Sequence, residues 1–261
     1  MIDTVHIIID SKDCPGGSLM VAALQELIGI GIYTPDEAAR YARVSVRTMQ
    51  RWIFGEGKGH SVIRAELAET GEKIITFLDF VQAMAVRSVR ISDNKFPLQK
   101  IRRACDEAMD HYNLRYPLAA RDHKISIFGP QDKPQLCEMV ISIGQDERGK
   151  EKYMQLTGKN KGNLMITDIA EPFMQGLDFG GSKFAERYTA WKEHGRSIIM
   201  DPRNRLGEPY LPSSGYTALA LWEAYQAEGG VAQVAKAYGV DREEVELACS
   251  YFDFLVGSDA A

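Results

Sequence analysis

Residues 31–54 read GIYTPDEAARYARVSVRTMQRWIF, and this run limits the fold more than any other. Thr34 is a good N-cap, Pro35 fits the first helical position, and Asp36 and Glu37 suit the positive end of a helix dipole. Glu37 follows Thr34 by three residues, the spacing of a capping box. Ala38, Tyr41 and Ala42 then recur on one apolar face. A turn around Arg43 and Val44 follows. Ser45 caps a second short helix whose inner face is Met49, Trp52 and Ile53. Two short helices joined by a tight turn predict a helix-turn-helix.

The polar face of that second helix is suited to nucleic acid. Arg47 and Arg51 are four residues apart and share a face, with Gln50 beside them. Arginine pairs bidentately with guanine and with phosphate, and glutamine pairs with adenine. Ser45 and Thr48 supply short hydroxyls suited to phosphate. With Arg43 and Lys58, these residues form the expected DNA-contact set. Net charge over the whole chain is −5, yet Gly31 to Arg64 carries an excess of three positive charges. A second basic run, residues 86–103, holds Arg87, Arg90, Lys95, Lys100, Arg102 and Arg103 against Asp93 alone. It is either a solvated helix face or a flank that extends the DNA footprint.

The rest of the chain divides into four expected units. Residues 1–23 are an N-terminal arm, and 24–116 are the DNA-binding lobe. In that lobe Val62-Ile63 and Ile74-Ile75 are candidate wing strands, and helices follow from Phe77 and from Pro97. Residues 117–196 are a β-rich insert and connector. Ile125–Phe128, Met139–Ile143, Tyr153–Leu156 and Leu164–Ile166 are apolar strands separated by turn-like segments, predicting a small β-meander. Residues 171–195 read as a mixed connector. Residues 197–261 predict three helices, over Thr217–Ala227, Val231–Tyr238 and Arg242–Leu255. They form a second helix-turn-helix-like unit, with Asp241 as cap of the last helix. The whole is an α+β protein, mainly helical.

The second unit differs from the first in charge. Gly229 to Leu255 has an excess of three negative charges. Asp241, Glu243, Glu244 and Glu246 gather at the start of its last helix, where they would repel phosphate and attract a basic protein partner.

Composition excludes several classes. Hydrophobic residues are 45% and charged residues 26%, ordinary for a globular protein. No apolar run reaches the length of a bilayer span, and Met1 to Asp10 lacks the basic start of a secretory signal, so a cytoplasmic location without membrane contact is expected. Cys14, Cys105, Cys137 and Cys249 are dispersed and the five histidines form no metal-ligand pair, so neither a metal nor a cofactor is expected. No phosphate-binding loop, dinucleotide fingerprint or nucleophile elbow occurs, which argues against an enzyme.

The segment YTPDEAARYARVSVRTMQRW, Tyr33 to Trp52, resembles the winged helix-turn-helix of MerR-type regulators. FLDFVQAMAVRSVR and FPLQKIRRACDEA resemble the helices that follow it in antitoxins of that build. The tail, IIMDPRNRLGEPYLPSSGYTALALWEAY followed by GGVAQVAKAYGVDREEVELACSYFDFL, is similar to the domain-of-unknown-function family numbered 433. The resemblance covers about residues 24–116 and 197–255. It implies an antitoxin of a VapB-like toxin–antitoxin pair. Such a protein represses its own operon as a dimer on operator DNA, and neutralises a PIN-like ribonuclease toxin by binding it. It also implies that Ser45, Arg47, Gln50 and Arg51 face DNA. Tyr210 to Gly215 departs from the family, which often has glycine-threonine-arginine there, so the tail loses a basic contact. The alternative is a MerR-like transcription regulator that senses a small molecule through the β-insert.

Overall fold

The computed structural model describes residues 29–56, 60–91, 97–121, 125–128, 138–145, 147–157, 164–166 and 176–257. The expected N-terminal arm, residues 1–23, and Lys58 lie outside the described residues. Among the described residues the architecture is α+β, with helices before and after two small antiparallel sheets.

The first helix pair forms where local chemistry places it. Helix α1, Pro35–Tyr41, starts on a complete capping box: Glu37 N–H donates to Thr34 Oγ1 at 3.2 Å, and Thr34 N–H donates to Glu37 Oε2 at 2.8 Å. Helix α2, Val46–Ile53, starts on Ser45, whose Oγ accepts from Thr48 N–H at 3.2 Å. Met49, Trp52 and Ile53 of α2 are buried against the face of α1 that holds Ala38, Tyr41 and Ala42.

No wing hairpin joins 62–63 to 74–75. Val62 and Ile63 instead donate their N–H groups to the Trp52 carbonyl, at 2.7 and 2.9 Å, and so satisfy the C-terminal end of α2. Ile75 pairs with Tyr33, exchanging two backbone hydrogen bonds at 2.9 and 3.0 Å. Between them runs a short 3₁₀ turn, Ala68–Thr70.

Helix α3, Phe77–Ile91, is preceded by a second reciprocal cap. Asp79 N–H donates to Thr76 Oγ1 and Thr76 N–H donates to Asp79 Oδ2, both at 3.3 Å. The Asp79 carboxylate also accepts from Glu66 N–H, at 3.1 Å to Oδ2. Burial pushes this carboxyl up to about 6 despite those donors. Helix α4, Leu98–Tyr112, buries Ile101, Ala104, Cys105 and Ala108 and ends on Asn113 in the left-handed conformation.

The β-meander is present as read. Strands β1 (Ile125–Phe128), β2 (Glu138–Gln145), β3 (Glu151–Gln155) and β4 (Leu164–Ile166) pair in sequence order, all antiparallel. Met139, Val140 and Ile141 of β2 are buried in succession, so both of its faces are covered there. Helix α4 packs against this strand, and Lys100 Nζ lies 3.3 Å from Glu138 Oε1.

The connector read over 171–195 contributes two strands among its described residues, 176–195. Strands β5 (Leu177–Asp178), β6 (Arg187–Glu193) and β7 (Arg196–Met200) form a second antiparallel sheet. His194 and Gly195 make its hairpin turn, both with positive φ, as a two-residue turn of this kind requires. The expected boundary at 196/197 therefore falls inside a hairpin. Helices α5 (Ala218–Glu228), α6 (Val231–Tyr238) and α7 (Arg242–Val256) follow, around a core of Leu221, Val234, Val245, Ala248 and Phe252. Among the described residues no helix is long and apolar enough to cross a membrane.

One strap ties the entry of the first helix pair to the segment ahead of the C-terminal helices. Phe77 N–H donates to Ile30 O at 3.0 Å, and Ile32 N–H donates to Leu206 O at 2.9 Å. The buried Tyr33 hydroxyl donates to Gly207 O at 2.7 Å. Gly207 has φ +92°, and a Cβ there would collide with the Tyr33 phenol oxygen. Tyr33→Phe leaves the Gly207 carbonyl without this donor and should cost about 1–3 kcal/mol. Gly207→Ala adds backbone strain and the collision and should cost more, about 3 kcal/mol or above. Urea denaturation of the two variants checks the order; an alanine tolerated better than the phenylalanine contradicts the strap.

Candidate nucleic-acid interface

Helix α2 buries one side and offers the other. Its first turn contains no acid. Arg47 and Arg51 are exposed on the outer side, Ser45 is exposed at the N-terminus, and Thr48 and Gln50 are half-buried between them. The Ser45 hydroxyl donates to Thr48 Oγ1 at 2.8 Å. Trp52 is 4% exposed and anchors the helix from below, and its indole nitrogen has no hydrogen-bond partner. The anchor holds the outer face at a fixed rotation, as base reading needs.

Two electrostatic details modify the sequence reading. Arg47 Nη2 is 2.6 Å from Glu56 Oε1, with the arginine side chain 80% exposed. The guanidinium holds the Glu56 carboxyl below the usual carboxylate range. Arg51 lines an open cleft of about 470 Å³ together with Arg90, Pro97, Leu98, Gln99 and Arg102. Among the described residues no carboxylate lines it. Arg102 is held in place through the carbonyls of His60 and Ser61. The basic run at 86–103 thus contributes two arginines beside α2. Sequence spacing could not show this, because α2 and α4 lie some fifty residues apart in the chain.

Arg43 is elsewhere. It has φ +51°, its side chain is half-buried, and its guanidinium carbon lies 3.8 Å over the Phe254 ring of α7. It faces the C-terminal helices, apart from the outer side of α2. Of the seven expected contacts, Ser45, Arg47, Thr48, Gln50 and Arg51 come together on α2.

The acidic group of the second unit is also rearranged. Asp241 stands at the N-cap of α7 but makes no side-chain cap; its carboxylate instead accepts from Arg196 Nη2 at 2.8 Å. Glu244 is 2% exposed, with Oε1 3.9 Å from Arg196 Nη1, so it is an internal group. Glu243 and Glu246 are exposed with Asp241. The acidic face therefore presents three carboxylates rather than four.

No family model matches the chain. It is 21% identical over 229 residues to a Mycobacterium tuberculosis (strain H37Rv) protein named "Putative antitoxin VapB45", covering 84% of this chain and 92% of that one. It is also similar to the X-ray crystal structure of Rv2018 from Mycobacterium tuberculosis. The TM-score is 0.53 at 21% identity, over 83% of this chain and 96% of that chain. The structural likeness shows a shared fold over the part of the chain that it covers.

The Arg47–Glu56 pair gives a direct handle on the surface. Glu56→Gln frees Arg47 and removes a negative charge beside it. Affinity for a random-sequence duplex at low salt should rise about two- to fivefold. Fluorescence anisotropy measures this, and an unchanged or weaker affinity places the duplex away from Arg47.

Proposed function

We propose that this chain is a DNA-binding antitoxin. It represses its own operon through α2 and neutralises a cognate PIN-like ribonuclease toxin by direct binding, acting in the cytoplasm as a homodimer without cofactor or catalysis. The observation that carries the DNA half is the outer face of α2. Arg47, Thr48, Gln50 and Arg51 project from a capped helix fixed underneath by Met49, Trp52 and Ile53, and the Arg51–Arg90–Arg102 cleft continues its positive charge. Guanidinium groups at that spacing match guanine edges and phosphates. The likeness to a protein named as an antitoxin supports the toxin half. A dimer follows from the way a single helix-turn-helix reads paired half-sites.

The test is a gel-shift titration on the DNA upstream of the chain's own gene, paired with a thermal melt. Arg47→Ala with Arg51→Ala should weaken specific binding by about 3 kcal/mol, roughly a hundredfold. Both side chains are exposed, so stability should move by less than about 0.5 kcal/mol. Full operator affinity in the folded double variant contradicts the reading.

A further inference from the structure

The segment that follows α2 is braced against α4. Two polar contacts make the braces. At one, Arg102 donates from Nε to Ser61 O at 2.7 Å and from Nη2 to His60 O. At the other, Arg64 Nη2 lies 3.0 Å from Asp106 Oδ1. The residues of both braces line one cavity of about 400 Å³. That volume falls within the range of small-molecule sites, about 300–1,000 Å³. Arg102, Cys105, Asp106 and Met109 form its α4 wall, at the three- and four-residue spacings of a single helix face. Val62 and Arg64 of the crossing segment complete it.

The wall is apolar in part and positive on balance. Val62 is 4% exposed and Cys105 3%. Burial pushes the Cys105 thiol up to about 12, so the sulfur is uncharged at neutral pH. With Val62 and the Met109 thioether it makes a soft, polarisable surface. Among the described residues that line the cavity, two guanidinium groups meet one carboxylate. The two carbonyls that hold Arg102 occupy its donors without neutralising its charge. Arg64 spends one nitrogen on Asp106 and keeps its other donors.

We propose that this cavity binds a small monocarboxylate with an apolar body, its carboxylate on the open N–H groups of Arg102 and Arg64 and its body against Val62, Cys105 and Met109. A carboxylate matches the planar donors of a guanidinium and balances the one charge in excess. A phosphate dianion exceeds that charge, and a neutral apolar molecule leaves the donors unmet. Arg102 also lines the cleft beside α2. A carboxylate bound to it withdraws positive charge from that cleft, so occupancy weakens duplex binding. This coupling rests on the DNA reading above; the binding of the carboxylate does not.

Ligand-observed saturation-transfer NMR on the full chain tests the site with phenylacetate, hexanoate and indole-3-acetate at millimolar concentration, against phenylacetamide and phenylalanine. At least one of the three carboxylates should bind, and phenylacetamide should bind at least about tenfold more weakly than phenylacetate. Arg102→Gln should lose as much affinity. Met109→Trp fills the apolar wall and should abolish binding while keeping its duplex affinity and its circular dichroism. Met109→Trp decides the matter if Arg102→Gln, without its bonds to the His60 and Ser61 carbonyls, does not fold. A saturating carboxylate should lower the duplex affinity of the wild type about two- to fivefold and leave that of Met109→Trp unchanged. Silence from all three carboxylates, equal binding of acid and amide, or undiminished binding to folded Met109→Trp overturns the site. Phenylalanine binding more tightly than phenylacetate makes Asp106 the anchor and overturns the monocarboxylate. Carboxylate binding with duplex affinity unchanged sustains the site and overturns its coupling to the cleft.

Discussion

The Tyr33–Gly207 hydrogen bond decides how the first helix pair meets the C-terminal segment. Tyr33 is 1% exposed, and its phenol is held well above its usual titration range by burial. Its hydroxyl reaches across 174 residues of sequence to a carbonyl that can be approached so closely because residue 207 lacks a side chain. The flanking bonds, Ile32 to Leu206 and Phe77 to Ile30, hold the same strap from two more sides. The turn that receives it adopts positive φ at Arg205, Leu206 and Gly207 in succession, a conformation that two of those residues take only under constraint. With the strap in place, the turn between α1 and α2 reaches α7, where Arg43 rests on Phe254. The helix-turn-helix is therefore not an independent module on a tether, because its entry strand is pinned on the C-terminal segment.

Much of the fold was legible because its signals are local. The Thr34–Glu37 box, the Ser45 cap and the apolar spacing of Met49, Trp52 and Ile53 act within four residues, and each formed as read. The four meander strands were marked by apolar runs and turn residues. What could not be read was partnership. Ile75 has the composition of a hairpin strand, yet its partner is Tyr33, forty-two residues earlier, and no local feature selects it. Strand β6 was missed because most of its residues are half-buried and the alternation that marks a strand is blurred. The His194-Gly195 pair was the one available signal of its hairpin.

The candidate site divides along the same line. The outer face of α2 follows from helical periodicity alone, so Arg47, Gln50 and Arg51 could be placed from spacing. Arg43 belongs to a turn, where direction depends on one φ angle, and a left-handed turn sends its side chain to α7. Glu244 was grouped with its acidic neighbours, but the third position of α7 faces inward toward Arg196. The two helix pairs then share a shape and differ in charge. The first turn of α2 has no acid, leaving the positive helix end open to phosphate, whereas that of α7 carries Glu243 and Glu244.

The proposed DNA grip is through α2 and the arginine cleft beside it. The salt dependence of its affinity for the upstream duplex tests this most directly, because each neutralised phosphate contributes about 0.9 to the slope of log K against log salt. Arg51→Gln should make the slope shallower by about one per subunit, with the fold intact by circular dichroism. A slope that stays the same, in a folded variant that still binds, would place the duplex on another surface of the protein.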